Sequence, residues 1–178
     1  MKIVKKCVLL LSAVLFIASC NQETTLQEYL VNQKEDADFI TMDIPTSLLD
    51  AQSLQLKQEE KEALESIKKV NFLALKASEA NTAKFETEKQ KVTAILKNKK
   101  YESLMRFSKN NTNVQILYEG DDTRIDEVII YATKPSAGFA LVRVLGNNMS
   151  TEKMNTLSKT LMDNSSSVLD AASIFDSI

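Results

Sequence analysis

IDEVIIYATKPSAGFALVRVLG, residues 125–146, decides the fold of this 178-residue chain. Its two halves, 125–132 and 139–145, are rich in β-branched and aromatic residues, and the break between them holds Pro135 and Gly138. Short apolar runs bounded by proline and glycine are typical of β-strands joined by a turn. Strands that follow one another directly in sequence pair mostly as antiparallel hairpins. The stretch therefore predicts two neighbouring strands of an antiparallel sheet.

The segments before and after this stretch extend the sheet and add helices. Alternation of apolar residues and turn composition predict four further strands, at 39–44, 70–75, 104–107 and 114–118. Helical spacing and capping residues predict helices at 59–69 and 82–97, a short one after Ser47, and a last one after Ser150. The sequence therefore predicts a single α+β domain over residues 36–178. We expect a two-layer domain, with a mostly antiparallel sheet of about six strands and helices packed mainly on one face.

The first twenty residues have the composition of an export signal. Three lysines precede an apolar run at 8–18, which is too short to span a bilayer because a span needs about 20 residues. The motif Ile17-Ala18-Ser19-Cys20 resembles a bacterial lipobox, in which the cysteine is lipidated after the signal is removed. We expect residues 1–19 to be a cleaved signal peptide and Cys20 to carry the acyl chains of a membrane anchor. The alternative is an ordinary signal peptide with an incidental cysteine.

Residues 20–35 connect the expected anchor to the domain. Thr25 and Glu28 have the spacing of a capping box, and the apolar residues after Thr25 recur at helical intervals. This pattern predicts a short helix. A solvated linker is the alternative, because isolated short helices are marginal in water.

Composition excludes several classes of function. Removal of the signal would leave 19 basic and 24 acidic residues, a net charge of −5, which gives no support for nucleic-acid binding. The chain has no histidine, so histidine-based catalytic triads and histidine-ligated zinc sites are excluded. Its three glycines are far apart, so a glycine-rich phosphate loop is excluded as well. We therefore predict no cofactor, no metal and no intrachain disulfide, since Cys20 would be the only cysteine of the mature chain.

Several short motifs together resemble one family. They are Leu26-Gln27-Glu28-Tyr29-Leu30, Phe39 to Pro45 leading into Ser47-Leu48-Leu49, Leu64-Glu65-Ser66-Ile67-Lys68-Lys69, Tyr101-Glu102-Ser103-Leu104, Ile125-Asp126-Glu127-Val128 and the strand from Phe139 to Gly146. In this order, after a lipobox, they resemble the small Bacteroidetes lipoproteins catalogued as domain of unknown function four-two-five-two. The resemblance implies an envelope lipoprotein with an α+β domain. It implies no activity and no functional residue other than Cys20.

Two pairs of carboxylates are candidates for chemistry. Asp121-Asp122 could belong to a calcium loop, but the spacing of an EF-hand is absent, which favours an ordinary hairpin turn. Asp126 and Glu127 are adjacent in a predicted strand, so they point to opposite faces and cannot flank one glycosidic bond. We expect one of them to be solvated and the other to pair with Arg124 or Arg143.

Two classes of function remain, together with a third possibility. The favoured one is a non-enzymatic lipoprotein of the bacterial envelope, in the outer membrane rather than the inner one, that binds a protein partner or a second copy. The second is a hydrolase that uses carboxylates or a serine–lysine pair, and the third is a carrier of an apolar ligand. A deep cleft with two carboxylates would favour the hydrolase, a closed cavity the carrier, and a flat apolar face the binding module.

Alternate residues of the last four strands fall into two sets. The set expected beneath the helices is Met105, Phe107, Val114, Ile116, Tyr118, Val128, Ile130, Ala132, Ala140, Val142 and Val144. The opposite set is too apolar for a solvated face and mixes aromatic and aliphatic residues with arginine, as interface cores do. The candidate interface therefore consists of Leu104, Arg106, Leu117, Ile129, Tyr131, Phe139, Leu141 and Arg143. The alternative is that the last helix and tail, with Leu157, Leu161, Ile174 and Phe175, cover this set.

Overall fold

The computed structural model describes residues 24–45, 57–121, 123–150 and 152–154. Cys20, the predicted helix after Ser47 and the apolar tail lie outside these residues. The helices are α1 (Leu26–Asn32), α2 (Gln58–Glu65) and α3 (Thr82–Leu96), with 3-10 turns at Gln33–Glu35 and Glu79–Asn81. The strands are β1 (Phe39–Pro45), β2 (Ile67–Lys76), β3 (Glu102–Lys109), β4 (Thr112–Gly120), β5 (Ile125–Lys134) and β6 (Gly138–Met149).

The six strands form one sheet in the order β1-β2-β6-β5-β4-β3, and every neighbouring pair is antiparallel. The predicted α+β fold is therefore confirmed. The stretch 125–146 provides β5 and β6, which lie at the centre of the sheet. In their hairpin, Gly138 has φ of +135°, and a side chain there would collide with the backbone carbonyl of Leu75.

Helix α1 begins at the predicted capping box. The Thr25 hydroxyl accepts from the backbone N–H of Glu28 at 3.2 Å, and the Glu28 carboxylate accepts from the backbone N–H of Thr25 at 2.8 Å. Leu26, Tyr29 and Leu30 are buried, so this short helix is held by packing on the sheet as well as by its cap. The linker alternative for these residues is therefore wrong.

Helix α2 is shorter than the helix predicted at 59–69, because it ends at Glu65. Ser66 closes the helix, and its carbonyl oxygen accepts from the backbone N–H of Asn147 at 2.7 Å. The chain enters β2 at Ile67, opposite Gly146. Lys68 and Lys69 suggested a helix end because cations complement the helix dipole, but they lie in the strand.

Helix α3 lies across one face of the sheet, which we call the inner face, and it buries Phe85, Val92 and Leu96 there. Phe139 stands at the centre of this layer. Its ring lies 6.1 Å from that of Phe85, 6.3 Å from that of Phe39 and 5.9 Å from that of Tyr131. Helix α1 joins the same core through its three buried residues. The inner face therefore holds the main hydrophobic core.

The alternation of residues between the two faces was predicted correctly, but the prediction of which face the helices cover was wrong. Leu117 lies opposite Ile129, and Tyr131 opposite Leu141, and all four are buried in the inner-face core. The set expected beneath the helices lies on the opposite, outer face. Long side chains are needed to fill the space between a sheet and helices, whereas the outer face carries the small residues Ala74, Ala132 and Ala140.

Candidate interaction surface

The structure separates the eight candidate interface residues into two groups. Six of them are buried on the inner face, namely Leu117, Ile129, Tyr131, Phe139, Leu141 and Arg143. Leu104 and Arg106 lie on β3 and are exposed. The buried residues share one core with α1 and α3, whereas Leu157, Leu161, Ile174 and Phe175 of the expected last helix and tail lie outside the described residues. The prediction that these six residues form an exposed docking face is therefore wrong, because the helices already occupy it.

Arg143 among apolar residues suggested an interface core, but its charge is neutralised by a buried partner within the domain. Its Nη2 lies 2.8 Å from the carboxylate of Glu127, and both side chains are almost fully buried. Its Nη1 donates to the side-chain oxygen of Gln27, which lies on α1. The Tyr101 hydroxyl donates to the other oxygen of Glu127 at 3.3 Å. This network ties α1 to β5 and β6, so its role is structural.

A second polar contact joins α1 to α3 beside this network. The Tyr29 hydroxyl donates to Glu88 at 3.0 Å, and Lys91 pairs with the same carboxylate at 2.7 Å. Burial, with Glu88 nearby, raises the pKa of Tyr29 far above its usual value. The open groove between the two helices, about 290 Å³ in volume, is lined by Thr24, Tyr29, Lys91, Ala94, Ile95 and Asn98. None of these described lining residues is a carboxylate, so the described part of the groove does not bring together the pair of acids that the hydrolase alternative needs.

The other carboxylates of the sheet do not converge on a site either. Glu127 is buried against Arg143, whereas Asp126 is exposed and pairs with Arg124 at 3.1 Å, as expected for one paired and one solvent-facing acid. Asp121 accepts from the backbone of Thr123 and of Arg124, both at 2.8 Å. The Thr123 hydroxyl also donates to Asp121, at 2.6 Å, and this bond together with the two backbone bonds lowers the pKa of Asp121 and accounts for it as a turn residue. Among the described residues, no group of three His, Cys, Asp or Glu side chains could hold a metal ion.

The outer face carries the exposed apolar side chains of the sheet. Ile40 and Met42 on β1 are 42% and 53% exposed, and Met105 and Phe107 on β3 are 52% and 45% exposed. Between them lies a buried apolar cluster of Ala74, Val114, Ala132 and Ala140, with the partly buried Phe72, Ile116 and Ile130 packed against it. Apolar side chains of this face are therefore exposed at its two edges, whereas its middle is shielded from solvent. Exposed apolar patches mark interaction sites, so these two edges are the part of the sheet that favours a binding module.

One end of the outer face is covered by the protein itself. Leu64 of α2 packs there with Ile125 and Met149, and Met154 lies against the same cluster. Ser150 caps the helical residues 152–154, since its hydroxyl accepts from the backbone N–H of Lys153 at 3.2 Å. The predicted cap at Ser150 is thus confirmed. Apolar side chains of this face reach solvent near Ile40 at one edge and Phe107 at the other.

The β1 edge of the sheet is held by a cluster of ion pairs. Asp43 lies 2.6 Å from Lys34 and 3.0 Å from Lys69, and it also accepts from Asn71. The Lys34 contact, with those of Asn71 and Lys69, holds the pKa of Asp43 well below its usual range. Two lysines thus share one carboxylate, and the cluster fixes the 3-10 turn against β1 and β2.

The sequence contained a signal for which face α1 and α3 cover, and the prediction did not use it. Ala74, Ala132 and Ala140 occupy neighbouring positions in three adjacent strands of the outer face. Small residues across the middle of a sheet leave no side chains long enough to interdigitate with a helix layer. Length of side chain, rather than apolar character alone, would have assigned the covered face correctly.

No helix in the described part of the chain combines the length and apolarity that crossing a membrane requires. No curated protein and no solved structure matches the chain. The sequence model of the family described as Domain of unknown function (DUF4252) matches residues 30–157, which include most of the described helices and all six strands. Since this match covers more than half of the chain, the protein belongs to the DUF4252 family.

Proposed function

We propose that the protein is a lipid-anchored lipoprotein of the bacterial envelope, in the outer membrane, and that its domain is a non-enzymatic binding module. The observation that carries this proposal is the exposure of apolar side chains at the two edges of the outer face, Ile40 and Met42 on β1 and Met105 and Phe107 on β3. Its proposed partner is an envelope protein with a complementary apolar surface. The inner face takes no part in binding, because α1 and α3 fill it.

The lipobox at residues 17–20 supports the anchor. Thr24, where the described chain begins, is four residues beyond Cys20, and four extended residues reach at most about 14 Å. Lipidation of Cys20 would therefore hold the start of α1 close to the membrane surface. A partner of this domain would accordingly be a membrane protein or one held at the membrane.

Metabolic labelling with a fatty acid tests the anchor. The natural protein is expected to incorporate labelled palmitate, and the Cys20→Ala variant is expected to accumulate as an unlabelled precursor. Cys7→Ala is the matched control, because Cys7 lies within the predicted signal and its loss leaves the lipobox intact. Labelling that survives in Cys20→Ala would show that this cysteine is not the acceptor.

Photo-cross-linking in intact cells tests the binding face. A photoactivatable phenylalanine derivative replaces Met42, and the protein trapped in the adduct is identified by mass spectrometry. We expect Ile40→Asp, on the same face two residues away, to reduce the adduct. Val31→Asp should leave it unchanged, because Val31 is an equally exposed apolar residue (49%) on α1. Equal trapping from Gln90, an exposed position on α3, would contradict a specific outer-face partner.

A further inference from the structure

Strand β3 is an edge of the sheet. Among the described residues it pairs only with β4, and all eight of its residues are exposed. An edge strand presents a row of backbone donors and acceptors to any strand that approaches, and proteins usually protect such an edge with charge, proline or a short strand. Strand β3 carries the charged residues Glu102, Arg106 and Lys109, but it also exposes the apolar side chains of Leu104, Met105 and Phe107, at 47%, 52% and 45%.

The two edges of the sheet differ in this respect. Strand β1 ends in Pro45, and its Asp43 is held by two lysines, so this edge carries both a residue without a backbone donor and fixed charge. Arg106 and Lys109 on β3 make no ion pair with any other residue of the described chain. The charges of β3 are thus available to a partner strand.

We propose that the partner of this edge is β3 of a second copy of the same chain, paired antiparallel in a symmetric dimer. A symmetric antiparallel pair places one residue opposite itself, and the residues on either side then pair with one another. Leu104 is the extra residue of a bulge, because the register with β4 shifts between Ser103 and Met105. With Leu104 out of register, Arg106 is the centre of the strand.

This register matches side chains of complementary character. Met105 lies opposite Phe107 of the second copy on the outer face, and Ser103 lies opposite Ser108. Glu102 lies opposite Lys109, so the dimer contains two pairs of opposite charge, one at each end. Cross-strand pairs of these kinds stabilise a sheet, whereas the two central arginines oppose each other at some cost. Three of the four kinds of pair therefore favour a second copy over an unrelated strand.

The Glu102 carboxylate is already positioned for its role. It accepts from the Tyr118 hydroxyl at 2.8 Å, which fixes the carboxylate beside the start of the strand. The inference deepens the proposed binding function, because pairing of two β3 strands would join two outer faces into one surface of twelve strands. The inference rests on the proposed binding role of the outer face, but it requires neither lipidation nor another protein.

Charge exchange tests the dimer directly. The full chain is purified from membranes in detergent, and its self-association is measured by sedimentation velocity over a range of concentrations. Glu102→Lys places lysine opposite lysine at both ends and is expected to weaken dimerisation roughly tenfold, since each opposed pair is affected by several tenths of a kcal/mol. Adding Lys109→Glu restores opposite charges and should recover the dimer. A monomeric natural protein, or a double variant no tighter than Glu102→Lys, would overturn the inference.

A single cysteine tests the register independently. Arg106→Cys places the new thiols opposite each other and should give a disulfide-linked dimer under mild oxidation, whereas Met42→Cys on the other edge should not. Arg106→Thr removes the central repulsion and should tighten the dimer. A linked dimer from Met42→Cys and none from Arg106→Cys would overturn the β3 pairing. The proposed function is judged separately, because trapping of another protein from Met42 does not depend on this edge.

Discussion

Arg143 carries a positive charge into the layer between the sheet and the helices. Its nearest anion, Glu127, lies 2.8 Å away on the neighbouring strand, and Gln27 and Tyr101 complete the network. The sequence predicted that one acid of the 126–127 pair would meet an arginine. It did not indicate that the pair would be buried, because burial depends on which face the helices cover.

Removal of one partner of this ion pair should destabilise the fold strongly, whereas replacement of both partners by apolar residues should not. Glu127→Leu leaves the Arg143 charge buried without its partner, and we expect a loss of about 3–5 kcal/mol in the free energy of unfolding. Combining it with Arg143→Met should recover most of that loss, because two apolar residues of similar size need no neutralisation. Urea unfolding of both variants measures the difference. A double variant less stable than Glu127→Leu would show that Arg143 stabilises the fold by contacts other than this pair.

At the scale of single elements, a helix boundary was predicted correctly where residues close in sequence determine it. The start of α1 was predicted because Thr25 and Glu28 form a local capping box. The end of α2 was not, because β2 begins at Ile67 by pairing with Gly146, about eighty residues later in the chain. The alternation along β3 to β6 was likewise readable, but the choice of covered face was not made from side-chain length. Features that local contacts determine were thus predictable, whereas strand pairing over long range was predicted only as an alternation of residues between two faces.

The cap of α1 gives a prediction at this scale. Thr25→Ala removes the hydroxyl that accepts from the Glu28 N–H, and we expect a loss of about 1 kcal/mol. Thr25→Ser keeps the acceptor and should remain close to the natural protein. Thermal unfolding followed by circular dichroism distinguishes the two variants. Equal losses in both would indicate that packing of the threonine methyl, and not the cap, stabilises the helix start.

For the whole molecule, buried tyrosines make the free energy of unfolding depend on pH in the alkaline range. Burial raises the pKa values of Tyr29, Tyr101 and Tyr131 in the folded protein. The unfolded chain, with tyrosine pKa values near 10, therefore loses these protons first as pH rises. Stability from these groups is complete below about pH 10 and should fall above it, by up to about 1.4 kcal/mol per pH unit for each tyrosine.

Denaturant unfolding at a series of pH values checks this dependence. Tyr29→Phe should reduce the slope above pH 10 and leave the profile near neutral pH unchanged in shape. A free energy of unfolding that stays constant across the range in which free tyrosine ionises would contradict the burial of these three hydroxyls.

The account depends most on which face of the sheet is internal. The direct measurement is the free energy of unfolding of two matched double variants, Ile40→Asp with Met42→Asp on the outer face and Leu117→Asp with Ile129→Asp on the inner face. We predict that the outer-face variant loses less than about 1 kcal/mol, because exposed side chains tolerate charge, and that the inner-face variant does not fold. An outer-face variant that unfolds, or an inner-face variant that stays folded, would contradict the assignment of the core and of the binding surface.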